Sequence, residues 1–114
     1  MNKKRTGDEF VKMLAALASP PRIRILAALA ERHAYVSELA RSLGISRPLL
    51  HMHLQALEKA GLVVGHHEIS AEGKALRYYE VADFDERLTP KRLSEAAASL
   101  SLENKPERKT KESI

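Results

Sequence analysis

The sequence contains no cysteine. Disulfide frameworks, thiolate metal sites and cysteine nucleophiles are thereby excluded, and nothing points to an oxidising compartment. Long apolar runs are missing as well. No stretch approaches the roughly 20 residues that a membrane-spanning helix requires, and the polar start MNKKRTGDE lacks the apolar segment of a secretory signal. The expectation is a cytoplasmic protein with no membrane partner. Internal repeats and a phosphate-cradling glycine loop are also absent, the serines fall at helix caps or on helix surfaces, and the carboxylates are scattered. No catalytic constellation can be assembled from them, so an enzyme is not expected and no cofactor is implied.

What is present is an uneven charge on a chain of one small domain's length, 114 residues. The net charge is +4, with +3 over residues 1–7, +3 over residues 19–62 and −3 over residues 63–90. A basic half suits nucleic acid, although a solvated surface carries the same signal.

The chain is organised around Val36 to Leu62, VSELARSLGISRPLLHMHLQALEKAGL. Apolar spacing predicts a short helix over Ser37–Ser42, a turn through Leu43, Gly44 and Ile45, and a longer helix from Arg47 to about Ala60. That is a helix-turn-helix. Ser46 is the expected N-cap of the second helix. Ile45 before the cap and Leu50 after it form a hydrophobic staple, and Gly61 stands where a left-handed residue ends a helix. Leu50, Leu54 and Leu57 define the buried face, and Arg47, Pro48, His51, Met52, Gln55 and Lys59 lie opposite.

On the N-terminal side, residues 1–7 read as a flexible basic start, and Asp8 can cap a helix with the apolar stripe Phe10, Met13, Leu14 and Leu17. Ser19, Pro20 and Pro21 end it and begin the next, whose apolar residues Ile23, Leu26, Ala27 and Ala30, with Ile25 and Leu29 beside them, predict a central core helix. After Gly61 the pattern becomes strand-like over Leu62–Ser70 and Leu76–Val81, with a hairpin tip at Ala71–Lys74. Two strands directly after such a helix make a wing. An acidic loop from Asp83 to Arg87 leads to a last helix, capped by Thr89 with Pro90 in its first position; Leu88 can staple to Leu93, and the stripe is Leu93, Ala96, Ala97 and Leu100. The expected division is a flexible N-terminus over 1–7, a winged-helix domain over 8–82, an acidic loop and dimerisation helix over 83–102, and a disordered charged tail over 103–114. The fold class is mainly α with a small β-hairpin wing (α+β), in the order α-α-α-α-β-β-α.

The strings LASPPRIRILAAL, VSELARSLGISRPLLHMHLQALEKAGLV and RYYEV, in this order, resemble the ArsR-like winged-helix transcriptional regulators of bacteria and archaea. The resemblance spans roughly residues 14 to 81. It implies a dimer joined through the first and last helices, with the Arg47–Ala60 helix docked in the DNA major groove. The family's pattern of a polar residue, His-Leu, Leu and Ala-Gly-Leu falls on His51, His53, Leu54, Leu57 and Ala60 to Leu62. Many relatives bind metal through a Cys-containing stretch before the recognition helix, or through His and acidic residues on the last helix. Here the first stretch is YVSELARSLG and no His follows His67, so metal sensing does not carry over. Positions often held by Thr, Ser and His are Leu49, His51 and Met52, so base preferences do not carry over either.

The expected DNA-contacting set is Ser46, Arg47, Pro48, Leu49, His51, Met52, Gln55 and Lys59, with Lys74 and Arg77 from the wing. Arg47 can donate two hydrogen bonds to guanine, clamp a phosphate, or simply be a solvated helix-end residue. Gln55 suits adenine, and His51 a base edge or a phosphate. Leu49 and Met52 can touch a thymine methyl, or pack beside the core stripe. Lys74 and then Arg77 are the candidates for phosphate or minor-groove contact, while Glu68, Glu72 and Glu80 limit what the wing adds. His53, beside the core stripe, is expected to bond a backbone group. His51 and His53 lie about 200° apart on a helix, and His66 and His67 face opposite sides of a strand, so neither pair chelates a metal. Tyr78 and Tyr79 likewise face opposite sides, one in the core. The expected dimer surface is Phe10, Met13, Leu14, Leu17, Leu93, Ala96, Ala97 and Leu100. The whole reads as a homodimeric, nucleoid-associated transcriptional regulator that binds an inverted repeat in double-stranded DNA, with no effector indicated. Two alternatives share the scaffold: a protein-protein interaction subunit, and a ligand- or metal-responsive sensor.

Overall fold

In the computed structural model, residues 4–101 are described. The expected charged tail over 103–114 and the first three residues of the expected flexible start lie outside them. The elements are α1 (Gly7–Leu17), α2 (Pro20–Glu31), β1 (Ala34–Tyr35), α3 (Val36–Leu43), α4 (Arg47–Lys59), β2 (Val63–Ile69), β3 (Ala75–Val81) and α5 (Pro90–Ala98). Contacts divide the chain into one unit of residues 12–85 and another of residues 1–11 with 86–114.

In the larger unit, α2, α3 and α4 pack around Ile25, Leu26, Leu29, Leu39, Leu50, Leu54 and Leu57, all buried. The buried face of α2 is thus Ile25, Leu26 and Leu29, whereas Ile23 is half exposed. A wide apolar arc leaves the choice of inward face to the neighbouring helices. Ser19 caps α2 by accepting the Arg22 N–H, with Pro20 and Pro21 in the first turn. The hairpin pairs antiparallel from Val63 opposite Val81 to Ile69 opposite Ala75. At its tip the Gly73 N–H donates to the Ser70 carbonyl at 2.9 Å and the Ser70 N–H to the Lys74 carbonyl at 2.8 Å, a three-residue hairpin loop.

β1 is an addition to the expected order. Its two residues pair with the other edge of β3, Ala34 opposite Tyr79 and Tyr35 opposite Tyr78, giving a three-stranded antiparallel sheet in the order β1-β3-β2. Two residues are too few to show an alternating pattern, and only their partner strand makes them a strand.

The smaller unit departs from the expected flexible start and from the expected cap. Thr6, not Asp8, caps α1: its hydroxyl accepts the Glu9 N–H at 3.2 Å, and the Glu9 carboxylate accepts the Thr6 N–H at 2.9 Å. This is a capping box, and Asp8 instead accepts the Ser101 N–H. Thr89 caps α5 as expected, accepting the Arg92 N–H, but Leu88 and Leu93 are both largely exposed. Lys4 pairs with Glu95 at 3.0 Å and Arg5 with Glu86 at 3.3 Å. Arg92 is buried, donates from Nε to Glu86 Oε1 at 3.0 Å and from Nη2 to the Arg5 carbonyl, and lies 4.5 Å from the centre of the Phe10 ring. Lys4 and Arg5 are therefore engaged in internal pairs.

These pairs make a pH prediction. The hydrogen bond from Arg92, reinforced by Arg5 and opposed by burial, holds the Glu86 carboxyl below the usual carboxylate value of 4.5. A group lowered in the folded state stabilises it fully above its unfolded pKa, and that stabilisation is lost as pH falls through the folded value. Thermal stability, followed by circular dichroism, is expected to fall below about pH 4.5. Glu86→Gln is expected to be less stable at neutral pH and flatter across the acid window. Parallel pH profiles for the two proteins would remove Glu86 from the account.

Candidate nucleic-acid interface

The helix-turn-helix is built from two helix ends closed in the same way. Gly44 after α3 and Gly61 after α4 have φ of 68° and 78°, which an L side chain adopts only with strain. After α3, the Gly44 N–H reaches the Arg41 carbonyl and the Ile45 N–H the Ala40 carbonyl; after α4, Gly61 reaches Glu58 and Leu62 reaches Leu57. Both are Schellman closures, and each satisfies carbonyls that the helix would leave unpaired. Between them Ser46 caps α4 as expected, accepting the Leu49 N–H at 3.2 Å. The Tyr35 N–H donates to the Glu38 carboxylate at the start of α3.

α4 is sharply two-sided. Leu50, Leu54 and Leu57 are 0% exposed, while Arg47, Pro48, Gln55 and Lys59 are exposed, Met52 and Leu49 are 50% and 41% exposed, and His51 is half-buried. Helical spacing puts Pro48, Met52, Gln55 and Lys59 on one outward stripe. Arg47, His51 and Glu58 form the ridge on one side of it, and Leu49, His53, Ala56 and Ala60 the ridge on the other. Among the described residues, the side chains of Arg47, Gln55 and Lys59 have no hydrogen-bond or ion-pair partner. Ser46 is exposed at the helix start, though its hydroxyl is committed to the cap. Glu58 escaped the sequence reading. On the ridge of Arg47 and His51 it repels phosphate, and it suits only a donor such as the cytosine amino group.

Two sequence expectations change here. Arg77 is half-buried and donates from Nη2 to the Tyr79 hydroxyl at 2.6 Å, with its guanidinium 5.6 Å from the ring centre. It braces the wing on its Tyr79 side, whereas Lys74 is exposed at the tip with its backbone, not its side chain, tied to Ser70. His53 is buried as expected, yet its Nδ1 accepts from the Arg22 side chain at 3.0 Å and not from backbone. Burial, and then the Arg22 charge, push the His53 pKa below the usual imidazole value. Helical spacing identifies the ridge of His53, but a partner thirty-one residues away is visible only in three dimensions.

Of the expected dimer residues, Phe10, Met13 and Ala96 are already buried within one chain. Leu14 and Leu17 are half-buried, and Leu93, Ala97 and Leu100 are exposed. Tyr79 is fully buried and Tyr78 lies on the other face of the sheet, where His66 stacks on it at 4.8 Å and His33 and Tyr35 approach it at 4.9 and 5.6 Å. His66 bonds Glu80 and the Tyr35 hydroxyl bonds Glu68, both at 2.7 Å. His67 is exposed. Among the described residues, no group of three or more His, Cys, Asp or Glu side chains is placed to hold a metal ion, and no single helix is long and apolar enough to cross a membrane.

The model of the bacterial regulatory protein, arsR family, matches residues 19–64, from the start of α2 into β2. An uncharacterised HTH-type transcriptional regulator of Methanocaldococcus jannaschii is 39% identical over 77 residues, 67% of this chain and 79% of that protein. The chain belongs to the ArsR family. Another relative of similar sequence is the HTH-type transcriptional regulator CmtR of Mycobacterium tuberculosis, 43% identical over 63 residues, 55% of this chain and half of CmtR. Among solved structures, the homodimeric winged helix-turn-helix DNA-binding domain of a possible ArsR-family regulator from Mycobacterium bovis superposes with a TM-score of 0.60 at 30% identity, over 67% of this chain and 66% of that one. This ArsR-family chain is thus a winged helix-turn-helix, and its relatives are transcriptional regulators, not enzymes. The family match takes in α3 and α4 and stops before β3.

Proposed function

We propose that this ArsR-family protein regulates transcription as a homodimer that binds an inverted repeat in double-stranded DNA, with α4 in the major groove and the wing on the backbone or minor groove. The observation that carries this reading is the outward side of α4. Cationic and amide side chains stand exposed and, among the described residues, unpaired on a helix whose other side is locked into the core by three fully buried leucines. A solvated surface helix would gain from carboxylates spaced to pair with those cations. Here Glu58 is the one acidic side chain on the helix.

For the dimer, the support is the stripe along α5 and just past its end, with Leu93 and Leu100 at 51% and 41% exposure flanking Ala97, together with the homodimeric state of the Mycobacterium bovis neighbour. Apolar side chains in a row of this kind gain by being covered. Two copies related by a two-fold axis present two α4 helices to major grooves about 34 Å apart. The cytoplasm, beside the nucleoid, is where such a protein acts.

Selection of bound sequences from random duplexes tests the reading: a palindromic site is expected, and no enrichment of any duplex would overturn it. Light scattering is expected to return the mass of two chains. On the selected duplex, Arg47→Ala is expected to weaken binding by about 1–3 kcal/mol and to relax preference at one position of each half-site. A uniform loss across sequences would reassign Arg47 to a phosphate.

A further inference from the structure

Arg22 sits in the first turn of α2, two residues after Pro20. Its Nε donates to Nδ1 of the buried His53 on α4 at 3.0 Å, while Nη1 and Nη2 have no acceptor among the described residues. The residue is half-buried. His53 lies on the core side of the ridge of Leu49 and Ala56, which stands between the buried leucines and the outward stripe of Pro48, Met52, Gln55 and Lys59. The guanidinium is therefore fixed along the flank of α4 that borders the face meeting DNA in the proposed function, on the side away from Arg47 and His51.

This placement is electrostatically poor for the free protein. A cation in the first turn of a helix opposes the helix dipole, and a neutral imidazole supplies an acceptor but no charge. Buried Arg92 is answered by the Glu86 carboxylate, as is half-buried Arg5, and half-buried Arg77 has the Tyr79 hydroxyl as acceptor for its Nη2. At Arg22 no carboxylate is supplied. With Nε occupied, the two Nη groups remain as a planar fork, which matches two oxygens of a phosphate.

We propose that Arg22, oriented by His53, clamps a backbone phosphate of the bound duplex and so sets how α4 sits in the groove. Arg22 is the binding residue and His53 its positioning residue. The inference rests on the DNA-binding reading above, and its ligand is the phosphate backbone, whatever the base sequence.

The discriminating variant is Arg22→Gln, whose amide can still donate to His53 but which has neither the charge nor the second pair of donors. Binding is measured by fluorescence anisotropy over a salt series, on the duplex selected by the wild-type protein and on a random duplex. Arg22→Gln is expected to weaken both by about the same factor, near tenfold, and to reduce the slope of log K against log salt by about 0.9 per chain, the release of one counterion set. His53→Leu is expected to keep the slope and lose affinity, and His53→Gln, which restores an acceptor, to recover most of it. A slope unchanged in Arg22→Gln overturns the proposal. Should that variant not fold, the Arg22 Nε–H resonance of the wild-type protein decides: it is expected to shift on titration with the duplex, and a resonance that does not move overturns the clamp. Wild-type protein that binds no duplex overturns the functional reading itself, an outcome distinct from wild-type binding with an indifferent Arg22.

Discussion

Replacing Tyr79 by alanine is expected to lower the free energy of unfolding by about 3–5 kcal/mol, the range for emptying a buried aromatic site. The ring is 0% exposed and belongs to the central strand of the sheet, with Ala34 of β1 on one side and Gly65 of β2 on the other. Gly65 leaves the space it fills: a Cβ there would stand 2.8 Å from the ring's Cε2. The site therefore has backbone on both flanks and no flexible side chain at Gly65 to collapse into the cavity. Tyr79→Phe separates the ring from its hydroxyl. It removes only the bond from Arg77, a half-buried group that water can reach, and is expected to cost about 1 kcal/mol. Urea denaturation at fixed protein concentration measures both. An alanine variant within 1 kcal/mol of wild type would mean that the sheet does not depend on this ring.

Leu54→Ala is expected to cost about 2–5 kcal/mol, while Met52→Ala, two residues earlier, is expected to stay within about 0.5 kcal/mol of wild type. The contrast follows from exposure alone: Leu54 is 0% exposed and Met52 is 50% exposed on the same helix. DNA binding should divide the pair in the opposite way. Leu54→Ala is expected to lose binding only as far as it loses folded protein, so stabilising conditions restore it. Met52→Ala is expected to change affinity for the selected duplex with stability intact. Equal stabilities for the two variants would contradict the two-sided reading of α4. Both comparisons require one protein concentration, since dimerisation adds to apparent stability.

The helix-turn-helix was legible because its determinants are local. Ser46 caps the helix that follows it by three residues, and Gly44 and Gly61 close helix ends through bonds that span at most five residues. Leu50, Leu54 and Leu57 repeat at helical spacing, so their burial could be read from their order. The exposed side of α4 follows by subtraction. The hairpin was legible for the same reason, its tip being a short loop between two alternating runs.

Most of the differences concern partners that are distant in sequence. The stripe from Phe10 to Leu17 and the stripe from Leu93 to Leu100 look alike as apolar spacing. Phe10 proves to be covered by Arg92 and Ala96 is enclosed in its own chain, while Leu93 and Leu100 stay exposed. Arg5 and Lys4 read as free basic residues until Glu86 and Glu95 are seen against them. Arg77 and Lys74 are equivalent cations in sequence, and only the strand pairing turns Arg77 towards the Tyr79 hydroxyl.

By itself, the sequence determined which segments are helical, where α2, α4 and α5 are capped, where the chain turns at Gly44 and Gly61, and which side of α4 is apolar, because each follows from interactions within about five residues of chain. The tertiary structure alone decided that Ala34 and Tyr35 are a strand, that Arg92 is answered by Glu86, and that Arg22 is held by His53. Those pairings are chosen by packing, which brings together groups whose spacing along the chain carries no periodic signal.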